Sequence, residues 1–406
     1  MEQATAVGIP PVGHEERTWE AKPDGMTGRA RLAAASGAYL STVTPPIANL
    51  TFSLPVSVAA DVEEAAAALA AFDSHARSVL GPTSPILGPM SSILLRTESA
   101  SSSQIENLTV GARQLALAEI DESTFGNAKT VVGNVRAMEA ALALAENLDE
   151  NAILAMQAAL LEHQSGWEPL AGRWRAGLVW VGSNSISPIG ASHIAPQANL
   201  IPEAMDDLVR FIRRDDLPVI VQAAIAHAQF ETIHPFADGN GRTGRAMIHA
   251  ILRAKKLVTN TTAPVSAGLL TNTGSYFDAL TSYRQGNALP IIERFTDASR
   301  YAASSGAGLV DNIAEQIEES RQKMAGIRSQ SRAWDVLPHL VAQPVLNADY
   351  LIHHIGIPRQ SAHNALTSLT DVGVLEERTG RKRNRVWQHP GILAVLDDYA
   401  NHLRRN

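Results

Sequence analysis

The chain has 406 residues, of which 45% are hydrophobic and 18% charged, a composition typical of a globular protein and not of a disordered one. Its net charge of −7 gives no overall preference for nucleic acid or a membrane surface, and the absence of cysteine excludes disulfides, thiolate metal sites and a cysteine nucleophile. No apolar run has the length of a transmembrane helix, and the N-terminus lacks the basic start and apolar core of a secretion signal. We therefore expect a cytoplasmic protein with two or three domains.

The predicted elements are mainly α-helical. Residues 1–55, rich in Pro, Gly, Ala and Thr, predict an extended N-terminal arm. Apolar periodicity predicts helices at 58–80, near 104–120, 130–146, 150–163, 203–213 and 217–231, one ending near Leu257, and two more at 274–284 and 288–303. Between them, residues 172–202 predict a hairpin and a loop. Residues 304–330 predict an amphipathic connecting helix, and a separate domain is expected over 331–406.

The stretch "HPFADGNGRTGR" at 234–245 gathers the residues with the most chemistry. Its glycines fit the G-x-G-x-x-G pattern of dinucleotide-binding turns, which requires a strand before it and an acid about 20 residues later. Here the preceding residues predict a helix, and the first acid after Arg245 is Asp278. No Lys-Ser/Thr pair follows the glycines, so a P-loop is excluded too.

A plain connection between two helices, capped by Asp238 or Asn240, remains an alternative for this stretch. It explains the glycines but not Arg242 and Arg245, because positive charge at a helix start opposes the helix dipole. A bound anion resolves that conflict, since helix N-terminal amides and arginines both bind phosphate. His234 then suits a general base, and Asp238 suits Mg²⁺ held together with phosphates.

The run from His234 to Arg245 resembles the signature of Fic-domain proteins, His-x-Phe-x-Asp/Glu-Gly-Asn-Gly-Arg-x-x-Arg, at every specified position. The resemblance implies a helical core that transfers AMP from ATP to a hydroxyl side chain of a protein. It further implies a base, a metal ligand for Mg²⁺, a nucleotide-binding loop with a buried anchor, and two phosphate-binding arginines. The base is then His234 and the metal ligand is Asp238. The loop residues are Phe236, Gly239, Asn240 and Gly241, with Phe236 as the anchor, and the two arginines are Arg242 and Arg245.

Two further segments resemble parts of the same family. The predicted hairpin lies where a β-hairpin flap accepts the target segment as an added strand, with Trp180, Val181, Gly182 and Ile186 as its target-binding residues. Tyr276 lies in "GSYFDALTSYRQGN", which resembles the segment that closes over the adenine. An ordinary surface hairpin and a core aromatic are the simpler alternatives.

A serine-rich segment before the signature has two interpretations. Ser103 and Glu106 fit a capping box at the start of a helix. Ser102, Glu106 and Asn107 also match the Ser/Thr-x-x-x-Glu-Gly/Asn pattern of the Fic inhibitory helix, here expected at about 101–118. The resemblance implies that Glu106 pairs with Arg245 and takes the place of the γ-phosphate.

The last domain predicts a helix, a turn, a second helix and a basic hairpin, an order that resembles a winged helix. Residues 331–406 hold nine basic and seven acidic side chains. If the domain binds DNA, we expect Gln360, His363 and Asn364 to contact bases. Phosphates are expected to be contacted by Arg381, Lys382, Arg383 and Arg385. A protein-binding module with a solvated basic hairpin is the alternative.

Together these observations predict an autoinhibited protein adenylyltransferase with a mainly α fold: a helical Fic core with a flap over 56–303, followed by a winged helix-turn-helix domain. Two alternatives stay open, a different transfer at the same site, such as AMP removal, and a non-enzymatic DNA-binding regulator that senses nucleotide. ATP and Mg²⁺ are the expected substrate and cofactor. The expected partners are a target protein, the chain itself among the candidates, and DNA or protein at the winged helix; a homo-oligomer is allowed and no membrane contact is expected.

Overall fold

In the computed structural model, the described residues are 7–22, 28–80, 85–123, 125–162, 164, 166–182, 185–378 and 385–404. They are mainly helical with a few short strands, which confirms the predicted fold class. Within these ranges no helix combines the length and the apolar character that crossing a membrane requires.

The elements are numbered in chain order. The helices are α1 Arg29–Ala34, α2 Val56–Leu80, α3 Leu87–Ile105, α4 Ala112–Glu119, α5 Gly126–Ala143, α6 Glu150–Leu161, α7 Ile201–Ile212, α8 Val219–Ile233, α9 Asn240–Ala254, α10 Val265–Leu270, α11 Thr273–Arg284, α12 Leu289–Lys323, α13 Ala333–Val336, α14 His339–Ala342, α15 Ala348–His353, α16 Arg359–Asp371 and α17 Pro390–Arg404. The strands are β1 Gly13–Trp19, β2 Gly37–Val43, β3 Trp180–Val181, β4 His193–Ile194, β5 Val345–Asn347, β6 Glu376–Glu377 and β7 Val386–Gln388.

The chain divides into two compact units that are interleaved along the sequence, whereas consecutive domains were expected. Unit 1 comprises residues 1–63, 140–255 and 274–296, and unit 2 comprises residues 64–139, 256–273 and 297–406. All strand pairs are antiparallel: β1 with β2 and β3 with β4 in unit 1, and the order β5-β7-β6 in unit 2.

The core of unit 1 surrounds α8. This helix is rich in alanine and branched apolar residues, and every residue from Ile220 to Ile233 is buried, its polar side chains included. It packs against α7 and α9, while α6 packs against α9. Because α8 and α9 are both buried, the connection between them is held from two sides and can keep a defined shape.

The core of unit 2 contains α3, which packs against α10 and α14. The buried residues of α3 include a run of small serines, Ser101, Ser102 and Ser103, whose size allows neighbouring helices to approach closely. The buried carboxylate of Glu98 accepts hydrogen bonds from the amide and the hydroxyl of Ser266 at the start of α10. Toward the C-terminus, the strands of the three-stranded sheet alternate along the chain with α15 and α16, and α17 follows the last strand.

Predicted helices at 58–80, 130–146, 150–163, 203–213, 217–231, before Leu257 and at 274–284 are confirmed by α2, α5, α6, α7, α8, α9 and α11. The extended arm is wrong, because β1 and β2 pair over seven residues with α1 between them. Most side chains of these strands remain at least partly exposed, so no alternation of apolar residues marks them in the sequence.

Three predicted helices have the wrong bounds. The helix expected near 104–120, with its inhibitory part at about 101–118, is two helices, since α3 ends at Ile105 and α4 begins at Ala112. Serine is a poor helix former, and the serine-rich half of α3 therefore gave no helical signal. The helices at 288–303 and 304–330 are one helix, α12. Gly306 lies inside this helix. A Cβ at this position would lie 2.8 Å from the Phe72 ring, so the glycine allows close packing.

Candidate active site

The end of α8 turns His234 out of the helix. His234 has left-handed backbone angles, φ +49° and ψ +60°, which are uncommon for a residue with a side chain. Its N–H still donates to the Phe230 carbonyl at 2.8 Å, and Pro235 cannot continue the helix because it lacks an N–H. The His234 side chain keeps 18% of its surface exposed in an otherwise buried region. The imidazole is therefore accessible to a substrate.

Asn240 shapes the loop that follows. Its Oδ1 accepts from the Phe236 amide at 2.8 Å, and its Nδ2 donates to the Phe236 carbonyl at 2.9 Å. One side chain thus satisfies both backbone groups of a buried residue. The Phe236 ring is fully buried and lies 5.0 Å from the Trp174 ring, so it packs this loop against the core.

Gly239 allows the loop to approach α6. It has φ +81°, and a Cβ at this position would lie 2.5 Å from Leu160 Cδ2. Gln157, also on α6, donates to the Asp238 carbonyl at 3.3 Å and accepts from the Gly172 amide at 2.5 Å. The glycine is therefore required both by its backbone angles and by the close packing.

The start of α9 concentrates positive charge. Gly241 and Arg242 lie in its first turn, which contains no acidic residue. Arg242 and Arg245 are both almost fully buried, and Arg242 Nη2 contacts Asp238 Oδ2 at 3.0 Å. Backbone amides of a helix start, two arginines and a glycine-lined approach form an anion-binding arrangement. The structure brings these predicted phosphate-binding residues together in unit 1.

Arg175 supports the loop from outside the signature, and the sequence analysis did not identify it. Its guanidinium donates to four carbonyls, those of His234 at 2.8 Å, Gly177 at 2.8 Å, Pro196 at 2.6 Å and Ile233 at 3.5 Å. Burial lowers the Arg175 pKa to about 10, so the side chain stays charged near neutral pH. It connects His234 with both ends of the hairpin segment.

Glu231 is a second residue that the sequence analysis missed. Its carboxylate lies 3.6 Å from His234 Nδ1, and the spacing of three residues on α8 is the signal that could have identified it. Burial alone would raise the Glu231 pKa, but interactions with His234, His227 and Arg245 outweigh it and lower the pKa to about 2. Glu231 is therefore ionised and positioned to orient the imidazole of His234.

Two neutral histidines surround this pair. Burial, with smaller contributions from Arg284 and His234, lowers the His193 pKa to about 2, and its Nε2–H donates to the Thr232 carbonyl at 2.9 Å. Burial also lowers the His227 pKa to about 4. The His193 ring lies 6.3 Å from the His234 ring. Near neutral pH the site thus carries no imidazolium at either of these positions.

Asp238 is the candidate ligand for Mg²⁺. Its side chain is 36% exposed and contacts Arg242. Among the described residues, no group of three His, Asp or Glu side chains is placed to hold a metal ion. A single carboxylate together with substrate phosphates is a ligand set that Mg²⁺ accepts, so Asp238 fits this role when a nucleotide is bound.

The predicted flap is the short hairpin of β3 and β4. Val181 is 43% exposed, and Gly182 has φ +85° at the turn away from β3. Trp19 of β1 packs edge-on against Trp180 at 5.2 Å and donates from Nε1 to the Ile186 carbonyl at 2.8 Å. The N-terminal strands therefore support the hairpin, which the sequence analysis did not expect.

Tyr276 is buried and does not present its ring to solvent. Its hydroxyl shares a hydrogen bond of 2.7 Å with His227 Nε2. The expectation that it covers adenine stays a prediction.

The segment of Ser102, Glu106 and Asn107 forms the C-terminal end of α3, so the capping-box interpretation of Ser103 and Glu106 is wrong. Asn107 has φ +62°. The Asn107 amide donates to the Gln104 carbonyl at 2.9 Å, and the Leu108 amide donates to the Ser103 carbonyl at 3.0 Å. These two bonds define a Schellman motif, whose left-handed residue favours Gly or Asn. Ser102 is buried, and Glu106 is the half-buried capping residue of the helix.

The candidate DNA contacts lie in unit 2. Gln360, His363 and Asn364 are exposed in the first turns of α16, where Gln360 Nε2 donates to Asn364 Oδ1 at 3.1 Å. Arg385 contacts Glu377 Oε2 at 2.9 Å and lies over the Trp387 ring. Arg381, Lys382 and Arg383 lie outside the described residues.

Comparison with known proteins identifies the domain. The model of the Fic/DOC family matches residues 147–252, and the model of the Fic/DOC family N-terminal region matches residues 59–143. A "probable protein adenylyltransferase" of Aquifex aeolicus is 31% identical over 121 residues, which cover 29% of this chain and 34% of that protein. Protein adenylyltransferase fic-1 of Caenorhabditis elegans is 34% identical over 82 residues, or 20% of this chain and 15% of that protein.

The chain therefore spans about a third or less of the length of these curated relatives. A solved Fic family protein from Desulfovibrio desulfuricans has a similar fold, with a TM-score of 0.51 and 22% identity, covering 86% of this chain and 99% of that chain. The two family models, the signature at 234–245 and the shared fold agree. The chain carries a Fic domain, preceded by a segment that matches the N-terminal region of the Fic/DOC family.

Proposed function

We propose that this protein transfers AMP from ATP to a hydroxyl side chain of a target protein. The observation that carries the proposal is the pairing of an accessible His234 with an ionised Glu231 carboxylate 3.6 Å away, beside the positively charged start of α9. Both curated relatives are named as protein adenylyltransferases, which supports the same transfer.

His234 Nε2 accepts the proton of the target hydroxyl, and the oxygen forms a bond to the α-phosphorus. The bond between that phosphorus and the bridging oxygen breaks, so pyrophosphate leaves with the electron pair. Glu231 keeps the imidazole oriented, while Arg242 and Arg245 stabilise the negative charge that develops on the phosphates. Mg²⁺ bound with the nucleotide at Asp238 would neutralise part of the remaining phosphate charge.

We also propose that Glu106 restrains the transfer. The proposal rests on the pattern of Ser102, Glu106 and Asn107 and on the position of Glu106 at the end of α3. Replacement by glycine leaves the capping bonds of α3 in place, because those bonds come from the backbone. Glu106→Gly is therefore expected to raise transfer without unfolding α3.

Mass spectrometry of the intact protein after incubation with ATP and Mg²⁺ tests both proposals. The samples are wild type, Glu106→Gly, and Glu106→Gly combined with His234→Ala. We expect added AMP in the single variant and its loss in the double variant. Equal labelling in wild type and Glu106→Gly would contradict the restraint, and labelling that survives His234→Ala would contradict the assigned base.

For unit 2 we propose that residues 331–404 form a winged helix in which α16 contacts DNA. The order of α15, α16 and the β6–β7 pair, with exposed Gln360, His363 and Asn364, supports it. Fluorescence anisotropy with duplex DNA at two salt concentrations is the test. Affinity that falls with salt and with Gln360→Ala is expected, and no DNA binding would favour a protein partner.

A further inference from the structure

Arg175 is a buried cation that is held by main-chain carbonyls. Only 4% of its surface is exposed. Among the described residues, every hydrogen bond of its guanidinium ends on a carbonyl oxygen, and no carboxylate is among its partners. A charge in the interior is costly unless its donors are satisfied, so the guanidinium depends on the exact placement of these four carbonyls.

Two of the four carbonyls belong to the end of α8, which carries the base. Nε donates to the His234 carbonyl at 2.8 Å, and Nη2 donates to the Ile233 carbonyl at 3.5 Å. The Arg175 amide also donates to the Pro235 carbonyl at 2.9 Å. One residue therefore binds three consecutive carbonyls around the left-handed His234, and its positive charge lies at the negative end of the α8 dipole.

The other two carbonyls lie at the two ends of the flap hairpin. Nη1 donates to the Gly177 carbonyl at 2.8 Å, before β3, and Nη2 donates to the Pro196 carbonyl at 2.6 Å, after β4. A guanidinium is planar and has its donors in fixed directions. Movement of either end of the hairpin relative to α8 therefore breaks at least one of these bonds.

A second side chain joins the same two segments. His193 of β4 donates from Nε2 to the Thr232 carbonyl at 2.9 Å, and its ring centroid lies 6.3 Å from that of His234. It makes one bond to α8, whereas Arg175 binds α8 and both ends of the hairpin. Arg175 is thus the residue through which most of the bonds between the hairpin and the base pass.

We propose that Arg175 is a positioning residue for AMP transfer, which holds the imidazole of His234 and the flap hairpin in one fixed arrangement. The inference rests on the proposed function and adds a residue from outside the signature to it. Because four bonds pass through one side chain, the base keeps its working position only while both ends of the hairpin are bound. Displacement of a catalytic group by about 1 Å slows a reaction roughly 100-fold.

Hydrogen exchange of the full chain without nucleotide tests the link, and this measurement requires no activity. The reporting amides are those of Ser192 and Ala195 in the hairpin and of His234, all of which donate to carbonyls. In Arg175→Lys both segments should exchange at least about tenfold faster, the equivalent of one lost bond to a charged group, because an ammonium lacks the fork of donors. Arg173→Lys, at an exposed position, is the matched control and should exchange like wild type.

The rate of AMP labelling in the Glu106→Gly background reports on the position of the base. Over a range of ATP concentrations, Arg175→Lys should lower the maximal rate about 100-fold and leave the half-saturating ATP concentration within about twofold. The reason is that no hydrogen bond of Arg175 reaches the phosphate-binding residues Arg242 and Arg245. Arg173→Lys should label like its parent.

Added guanidinium separates positioning from a loss of folded protein. In Arg175→Ala, guanidinium at about 50 mM, well below denaturing concentrations, should occupy the vacated site and raise the maximal rate about tenfold. Urea at the same concentration is planar but uncharged and should not raise it, and neither should sodium chloride. Guanidinium destabilises folded proteins in general, so a gain requires binding at the empty site.

Faster exchange in both segments, a lower maximal rate at an unchanged ATP requirement, and recovery with guanidinium alone support the proposal. Faster exchange in only one segment, an unchanged rate, or equal recovery with urea overturns it. An equal loss of protection in α7 also overturns it, because Arg175 would then serve general stability. If the Glu106→Gly parent labels nothing, the proposed function fails, and exchange alone then decides whether Arg175 links the hairpin to His234.

Discussion

The loop between α8 and α9 and the turn after α3 are two helix ends that are held in different ways. In the loop, side chains bond to the backbone: Asn240 holds Phe236, and Arg175 holds the His234 carbonyl. In the turn after α3, the capping hydrogen bonds join backbone groups to each other, and the left-handed angle of Asn107 favours Gly or Asn at that position. The loop therefore depends on side-chain bonds, whereas the capping bonds of the turn do not involve the side chain at position 106.

The largest expected effect comes from breaking the side-chain bonds of the loop. Asn240→Ala leaves the buried Phe236 amide and carbonyl without their partner, at a cost of about 1–3 kcal/mol. Displacement of His234 or the phosphate-binding amides by about 1 Å should lower AMP transfer roughly 100-fold. Urea denaturation and AMP labelling in the Glu106→Gly background measure the two effects.

Asn151→Ala, on the exposed face of α6, is the matched control for Asn240→Ala and should change neither quantity. If Asn240→Ala labels as fast as its parent, the loop does not depend on this side chain and the contrast with the turn after α3 fails.

Glu231→Gln should have the next largest effect. The substitution keeps the shape of the side chain and removes the negative charge 3.6 Å from His234 Nδ1. We expect kcat for AMP transfer to fall about tenfold with little change in KM for ATP, because the amide orients the imidazole less firmly. Glu203→Gln on the exposed side of α7 is the control. Equal kcat values for both variants would mean that Glu231 is merely a buried structural charge.

The sequence predicted the site better than its surroundings. Residues 234–245 form one short stretch whose spacing carries the chemistry, and the apolar periodicity of α6 to α9 placed that stretch between buried helices. Glu231 could have been found from its helical spacing to His234. Arg175 and His193 could not, because they reach the loop from the hairpin segment, and no local pattern encodes that contact.

The same reasoning explains the errors outside the site. The pairing of β1 with β2 joins segments that lie on either side of α1, and their exposed side chains leave no apolar alternation. In α3, which packs against α10 and α14, the serines are buried, and tertiary packing overrides the low helix propensity of serine. Tertiary packing determines the structure of both the β1–β2 pair and α3, and tertiary contacts cannot be read from a single sequence.

Acid should weaken the buried surroundings of the loop. Burial lowers the pKa of His227 to about 4 and that of His193 to about 2, against about 6.5 in an unfolded chain. Below pH 6.5 the unfolded chain therefore binds protons that the folded chain does not. The free energy of unfolding then falls as the pH decreases toward 4, by up to about 1.4 kcal/mol per pH unit for each histidine.

His227→Gln removes one of the two groups that bind a proton on unfolding, so the free energy of unfolding should depend less steeply on pH. Denaturation at pH 7, 6 and 5 gives the slope for wild type and variant. We expect the slope of the variant to correspond to about one proton fewer taken up on unfolding. Parallel curves would contradict the neutral state of His227 in the folded protein.

The smallest effect tests the other side of the comparison, the backbone-held turn after α3. Asn107 adopts the left-handed conformation at φ +62°, which costs a side-chain-bearing residue about 1–2 kcal/mol and Asn less than most. Asn107→Gly should keep or slightly raise the free energy of unfolding, while Asn107→Val should lower it by about 1 kcal/mol. Asn401→Val in α17 is the control, because Asn and Val have similar helix propensities. If Asn107→Val unfolds at the same urea concentration as wild type, the turn does not require the left-handed residue, and the Gly/Asn position of the inhibitory pattern must owe its identity to something other than the end of the helix.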